Sequence, residues 1–155
     1  MKSVRFLRIA SVLTLIHAAL HTIGGVFGKP APGIATMIAA NMRTRFPVFG
    51  VMRSYSDFYL GMGLAVSIFL TVDAIVLWML ATLAESEAAR LRPILGIFLL
   101  GYLALAVNSY SFFFAGPVIA EIAIVACIAA AIFHASRIED DATPAEPHEL
   151  KTIRS

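Results

Sequence analysis

The sequence predicts an all-α, polytopic membrane protein: a four-transmembrane-helix bundle with a short interfacial helix in its first outer loop. Hydrophobic residues make up 59% of the 155 residues, charged residues make up 14%, and the mean hydropathy is +0.84. A soluble domain carries about a quarter charged residues, so this composition excludes an ordinary soluble enzyme and a nucleic-acid-binding domain. The formal net charge of +2 is too small to indicate a polyanionic partner.

Four apolar runs are each close to the length of about 20 residues that crosses a hydrocarbon core. They cover residues 9–27, 58–80, 94–114 and 117–133. Pro117 suits the first turn of the fourth helix, where its missing N–H costs nothing. Segment 109–116 is then a tight turn that makes the last two helices an antiparallel hairpin. Residues 1–137 form the transmembrane domain, and the charged segment 138–155 is predicted to be a flexible cytoplasmic tail.

The distribution of Lys and Arg places both termini in the cytoplasm. Basic residues lie before the first helix, between the second and third helices, and after the fourth helix, which all fall on the same side of the membrane. They are Lys2, Arg5, Arg8, Arg90, Arg92 and Arg137. The first run also contains two histidines and is longer than the apolar part of a signal peptide, so we expect it to be a retained span.

The first outer loop, residues 28–53, contains a candidate helix. Ile34, Met37, Ile38 and Met42 recur there at helical spacing. This pattern predicts a short helix lying at the membrane interface. Two interpretations stay open: a lid over a pocket, or a surface helix that covers the end of the bundle.

Polar side chains within or beside the apolar runs are the candidate site residues, because such groups are costly in hydrocarbon. The predicted ligand-binding set is His17, His21, Arg53, Asp57, Asn108 and Glu121. A rise of 1.5 Å per residue places His21, Asn108 and Glu121 about 6 to 9 Å inside the outer ends of their helices. The set therefore predicts a pocket in the outer half of the bundle, with Arg53 and Asp57 at its mouth.

The histidine pair also permits a metal site. His17 and His21 are one turn apart on one helical face, and two neutral imidazoles in this arrangement can reach the same divalent ion. Glu121 is the candidate third ligand. The alternative is a pair of interior histidines, each hydrogen-bonded to a neighbouring helix.

Two carboxylates have simpler structural interpretations. Asp57 lies at the start of the second apolar run, where Ser54 or Ser56 can cap the helix and the helix amino terminus favours a negative charge. Asp73 lies deeper, at about the level of Tyr102, and we expect a hydrogen bond between these two side chains.

Two short patterns in this chain resemble a family of small bacterial four-span membrane proteins. They are His21 before Gly24, and the run RSYSDFYLG from Arg53 to Gly61. The likeness extends into ARLRPILGIFLLGYLALAVNSYSFFFAGP and covers most of the chain outside the first loop and the tail. The resemblance implies a four-helix bundle in a bacterial cytoplasmic membrane and implies no particular activity. A likeness to the DoxX-like four-span proteins is confined to topology and the first helix.

The leading functional hypothesis is a pocket that binds a small or lipid-like molecule. A second hypothesis is an accessory subunit of a larger membrane complex, which contacts a cofactor or pigment through the Glu121 face. A third is a metal or proton transporter that uses His17, His21 and Glu121. The expected partners are membrane lipid, a small hydrophobic ligand, and a membrane-protein partner or a second copy of the chain, with no nucleic acid. The sequence identifies neither a cofactor nor a reaction.

Overall fold

The computed structural model describes residues 2–142 of the chain, with side chains described for residues 2–135. In chain order the elements are α1 (Lys2–Leu20), π-helical turns at His21–Val26, α2 (Ile34–Asn41), β1 (Phe46–Val48), β2 (Val51–Arg53), α3 (Tyr55–Glu87), a 3₁₀ turn at Ala88–Leu91, α4 (Arg92–Phe112) and α5 (Ala115–Ala142). The predicted all-α class is confirmed. Three helical segments in the described part of the chain are long and apolar enough to cross a membrane: Lys2–Val26, Tyr55–Phe112 and Ala115–Ala135.

The 58-residue segment Tyr55–Phe112 is a helical hairpin and not one straight rod. Its helical backbone is interrupted at Glu87, which has φ −131° and ψ 35°. Beyond this break, the Tyr102 hydroxyl lies 3.3 Å from an Asp73 carboxylate oxygen, although the residues are 29 positions apart. A straight helix would separate them by about 43 Å. The segment therefore contains two antiparallel helices, α3 and α4.

The long helices pack in the order α3, α1, α5, α4 around the bundle. Each of them contributes a fully buried aliphatic side chain to the core: Leu7 in α1, Leu77 in α3, Leu95 in α4 and Ile128 in α5. Because α3 packs mainly on α1 and α4 packs mainly on α5, a groove remains between α3 and α4.

One end of the bundle is marked by two contacts of α1. The Ser3 hydroxyl donates a 3.1 Å hydrogen bond to the Ala131 carbonyl of α5. The Arg8 guanidinium pairs at 3.1 Å with the Glu85 carboxylate of α3, and both side chains are about half exposed. An exposed pair of this kind contributes about 0–1 kcal/mol. These contacts align the start of α1 with the ends of α3 and α5.

The first loop holds a helix where the apolar spacing predicts one, and also a β-hairpin that the sequence pattern did not indicate. Strands β1 and β2 pair antiparallel around a two-residue turn, Phe49-Gly50. Both turn residues have positive φ, 46° at Phe49 and 84° at Gly50. This turn geometry matches the right-handed twist of a hairpin and is easy for glycine, but it is strained for phenylalanine.

The two ends of α5 differ from their predicted positions. α4 ends at Phe112 and α5 begins at Ala115, so the connection is much shorter than the predicted turn 109–116. The Phe113 amide donates to the Ser109 carbonyl at 2.9 Å, which keeps the chain helical to that point. At its other end α5 continues to Ala142, beyond residue 137, because the residues that follow still include good helix formers. Residues 143–155 of the predicted tail lie outside the described residues.

Candidate functional site

Glu121 is a buried carboxylate at the interface of α4 and α5. Its side chain is 1% exposed, and one of its carboxylate oxygens accepts a 2.8 Å hydrogen bond from the Ser109 hydroxyl. Ile124 and Ile128 follow Glu121 on the same helical stripe and are completely buried. This stripe is therefore covered by helices of the same chain, and a partner helix has no access to the Glu121 face.

His17 is buried on the stripe of α1 that also carries Ala10 and Thr14. In the part of the chain that the structure describes, two buried side-chain atoms have no hydrogen-bond partner, His17 Nδ1 and Glu121 Oε2. Counting 1.5 Å per residue from the Ser3–Ala131 contact, His17 lies about 21 Å and Glu121 about 15 Å along the bundle. The two unpartnered groups are thus separated by about one helical turn in depth.

Tyr102 of α4 connects three helices. Its hydroxyl lies 3.3 Å from Thr14 Oγ1 of α1 and 3.3 Å from Asp73 Oδ2 of α3. The Thr14 hydroxyl in turn donates to the Ala10 carbonyl at 2.9 Å. The hydrogen bond expected between Asp73 and Tyr102 is therefore present, and it belongs to a chain of hydroxyl groups that reaches α1.

A groove of about 350 Å³ lies between α3 and α4. Its lining residues are Asp73, Ile97, Phe98, Gly101, Tyr102 and Leu105. This volume falls in the range of ligand pockets, about 300–1,000 Å³, and the combination of apolar walls with a few polar groups is typical of them. Tyr102 lines the groove and also contacts Thr14, so it stands between the groove and the centre of the bundle.

His21 and Asn108 are not part of this buried cluster. His21 is half buried, and its Nε2 atom lies 3.2 Å from the Gly63 carbonyl of α3. Asn108 is exposed, and its neighbour Ser109 occupies the position beside Glu121. For His21 the structure thus matches the alternative in which the histidine is hydrogen-bonded to a neighbouring helix.

Arg53 ends β2 and Asp57 lies in the first turn of α3, and both are exposed. The Asp57 carboxylate accepts a 2.8 Å hydrogen bond from the Ser54 amide, and the Asp57 amide donates to the Ser54 hydroxyl at 3.2 Å. This reciprocal capping box satisfies two amide groups that the helix leaves without partners. The structural interpretation of Asp57 is therefore confirmed, with Ser54 as the capping residue. Arg53 donates to the carbonyl of Met52 at 3.2 Å.

The predicted metal set does not converge. Among the described residues, no group of three or more His, Cys, Asp and Glu side chains could hold a metal ion. His21 is bonded to α3, whereas His17 shares its stripe with Thr14, which contacts Tyr102 of α4.

Ser109 was missed by the sequence analysis, although helical phase could have found it. Ser109 follows Tyr102 by seven residues, which returns to almost the same helical face, whereas Asn108 points about 100° away. Asn108 was predicted because it is a polar residue at the right depth. The burial of Tyr102 indicates instead that Ser109, on the same face of α4, points into the bundle.

No family model matches this chain, and no curated protein or solved structure matches it. Its function is therefore inferred from the buried groups and the groove described above.

Proposed function

We propose that this chain is an integral protein of a bacterial cytoplasmic membrane, with four spans and both termini in the cytoplasm. The reversal between α3 and α4 supports four spans, since these helices have 33 and 21 residues and each is long enough to cross. The Lys and Arg bias supports the orientation. In this arrangement α2 lies at the outer interface, where its exposed apolar side chains Ile34, Met37 and Ile38 contact lipid.

We infer that the bundle binds a small or lipid-like molecule at an interior site formed by His17, Ser109 and Glu121. The observation that carries this proposal is the pair of buried atoms without partners, His17 Nδ1 and Glu121 Oε2. A buried polar atom without a partner costs about 1–3 kcal/mol. A ligand with one polar group placed between α1 and α5 would offset this cost, and its apolar part would meet the bundle core.

The groove between α3 and α4 is the proposed entrance. It opens at Asp73 and Tyr102, and Tyr102 also reaches Thr14 on the stripe that carries His17. A lipid-like molecule can enter such a groove from the side without crossing a polar surface. Rotation of the Tyr102 ring is the movement that would admit it.

The ligand can be identified by extracting the purified protein from nanodiscs of native membrane and analysing the extract by mass spectrometry. We expect a molecule that is enriched over bulk lipid in the unsubstituted protein and is lost in Glu121→Leu. Glu87→Leu is the matched control, because it removes an exposed carboxylate at the far end of α3. Equal recovery from all three proteins, or no enriched molecule, would mean that water alone satisfies the site.

Proton transfer is a second candidate, and the Asp73–Tyr102–Thr14 chain of hydrogen bonds favours it. The Tyr102 hydroxyl can exchange a proton with Asp73 of α3, and it lies within hydrogen-bond distance of Thr14 of α1. Proton flux into vesicles containing the purified protein, measured with a pH-sensitive dye, would be abolished by Tyr102→Phe. Flux equal to that of empty vesicles excludes this candidate and leaves ligand binding unaffected.

A further inference from the structure

Asp73 places a carboxylate deep within the bundle and beside the α3–α4 groove. Counting along α3, it lies about 27 Å from the start of the helix and about 21 Å from its end. The side chain is half buried, and the groove that it borders is otherwise lined by Tyr102 and by apolar residues of α4. A carboxylate at this depth is costly unless a hydrogen-bond donor or a cation faces it.

The Asp73 carboxylate has too few hydrogen-bond donors around it. The Thr14 hydroxyl gives its hydrogen to the Ala10 carbonyl, so toward Tyr102 it can act only as an acceptor. Tyr102 has one hydrogen and stands 3.3 Å from two acceptors, Thr14 Oγ1 and Asp73 Oδ2. The Tyr102 hydroxyl can donate to only one of these two acceptors at a time. No Lys, Arg or His is among the groove-lining residues, so an ionised Asp73 has no counter-charge there.

We propose that the α3–α4 groove binds a lipophilic amine, whose ammonium group pairs with Asp73 and whose hydrocarbon chain lies against Ile97, Phe98 and Leu105. The ammonium supplies the missing donor and the missing positive charge, while Tyr102 keeps its hydrogen bond to the carboxylate. This inference goes beyond the interior site proposed above, because it assigns a ligand to the groove itself.

Gly101 provides the space for the hydrocarbon chain. It lines the groove, and a Cβ atom added at this position would meet no other atom within 4 Å. A side chain at residue 101 would therefore start from an open Cβ position and extend into the groove. Replacing a helical glycine also favours the helix, so Gly101→Leu should fold and block the site.

The test measures binding of dodecylamine to the full chain in nanodiscs by equilibrium dialysis, with empty nanodiscs as background and dodecanol as the neutral probe. We expect saturable binding of dodecylamine only. Asp73→Asn should weaken this binding about ten-fold or more, as expected for loss of a charge-assisted hydrogen bond. Gly101→Leu should weaken it to a similar extent. Asp57→Asn is the matched control, since the asparagine side-chain oxygen can still accept the Ser54 amide hydrogen and the residue is remote from the groove.

Dodecanol binding as tightly as dodecylamine would overturn the proposal, as would equal dodecylamine affinity in Asp73→Asn and the unsubstituted protein. If Asp73→Asn fails to fold, as judged by gel filtration, Gly101→Leu decides the result. The outcome is separable from that of the proposed function. A co-purifying molecule that depends on Glu121, together with no dodecylamine binding, would reject only the amine.

Discussion

The Ser109 hydroxyl donates a 2.8 Å hydrogen bond to the Glu121 carboxylate across the interface of α4 and α5. Both side chains are buried, at 3% and 1% exposure. The bond satisfies one carboxylate oxygen and leaves the other facing the interior without a partner. The interface is therefore stabilised by one half of the carboxylate, while the other half has no partner among the described residues.

Replacing Ser109 by alanine should destabilise the bundle, because Glu121 would then have two buried oxygens without partners. We expect a loss of about 1–3 kcal/mol in the free energy of unfolding. Ser111→Ala is the control, since that exposed hydroxyl bonds only to the carbonyl of its own helix at Val107. Thermal unfolding in detergent would measure both. Equal melting temperatures would mean that the Ser109 bond contributes no stability.

Tyr102→Phe should also destabilise the protein while leaving its ring packing intact. It removes the single hydrogen that Thr14 and Asp73 share. We expect about 0.5–1.5 kcal/mol for a neutral hydrogen bond, and more if Asp73 is ionised. Tyr110→Phe, at a residue that is 82% exposed, should leave the melting temperature unchanged. A similar loss in both variants would show that the hydroxyl chain has no energetic role.

Phe49→Asn should stabilise the first loop. Phe49 has φ 46° at the tip of the hairpin and is fully exposed, so its side chain gains no packing that would offset the backbone strain. Asparagine adopts this conformation readily, and the strain that it relieves is about 1–3 kcal/mol. Protection of the hairpin amides in hydrogen exchange should increase. Decreased protection in a lipid bilayer would instead indicate that the phenyl ring is anchored in lipid.

The proposed orientation predicts which loops react from outside the cell. Cys127 is the only cysteine, so Cys127→Ala gives a background without thiols. In that background Thr44→Cys, in the first loop, should react with a membrane-impermeant maleimide in intact cells. Ser86→Cys, near the turn between α3 and α4, should react only after the cells are broken. The opposite pattern would place both termini outside.

The helices were predictable from the sequence because each depends on a local apolar run. The Asp73–Tyr102 bond was predictable too, since depth along each helix follows from the rise per residue. The partner of Glu121 was not, because a shift of one residue between Asn108 and Ser109 turns the side chain by 100°. Depth alone does not determine that angle.

The histidine pair illustrates a second limit. The two residues lie one turn apart as predicted, but His17 is buried, whereas His21 is half buried. The Gly63 carbonyl that bonds His21 lies 42 positions away in sequence, and no local pattern indicates it. Contacts between distant helices, rather than local spacing, separate the roles of His17 and His21.

The first and last long helices of this chain are packed against each other, and the last one also holds Glu121 against α4. During translation α5 emerges from the ribosome after all the others. Until α5 is made, Ser109 lacks the Glu121 carboxylate to which it donates, and the face of α1 that α5 covers is open. The buried polar centre is therefore completed only when α5 docks, after α1, α3 and α4 have been synthesised.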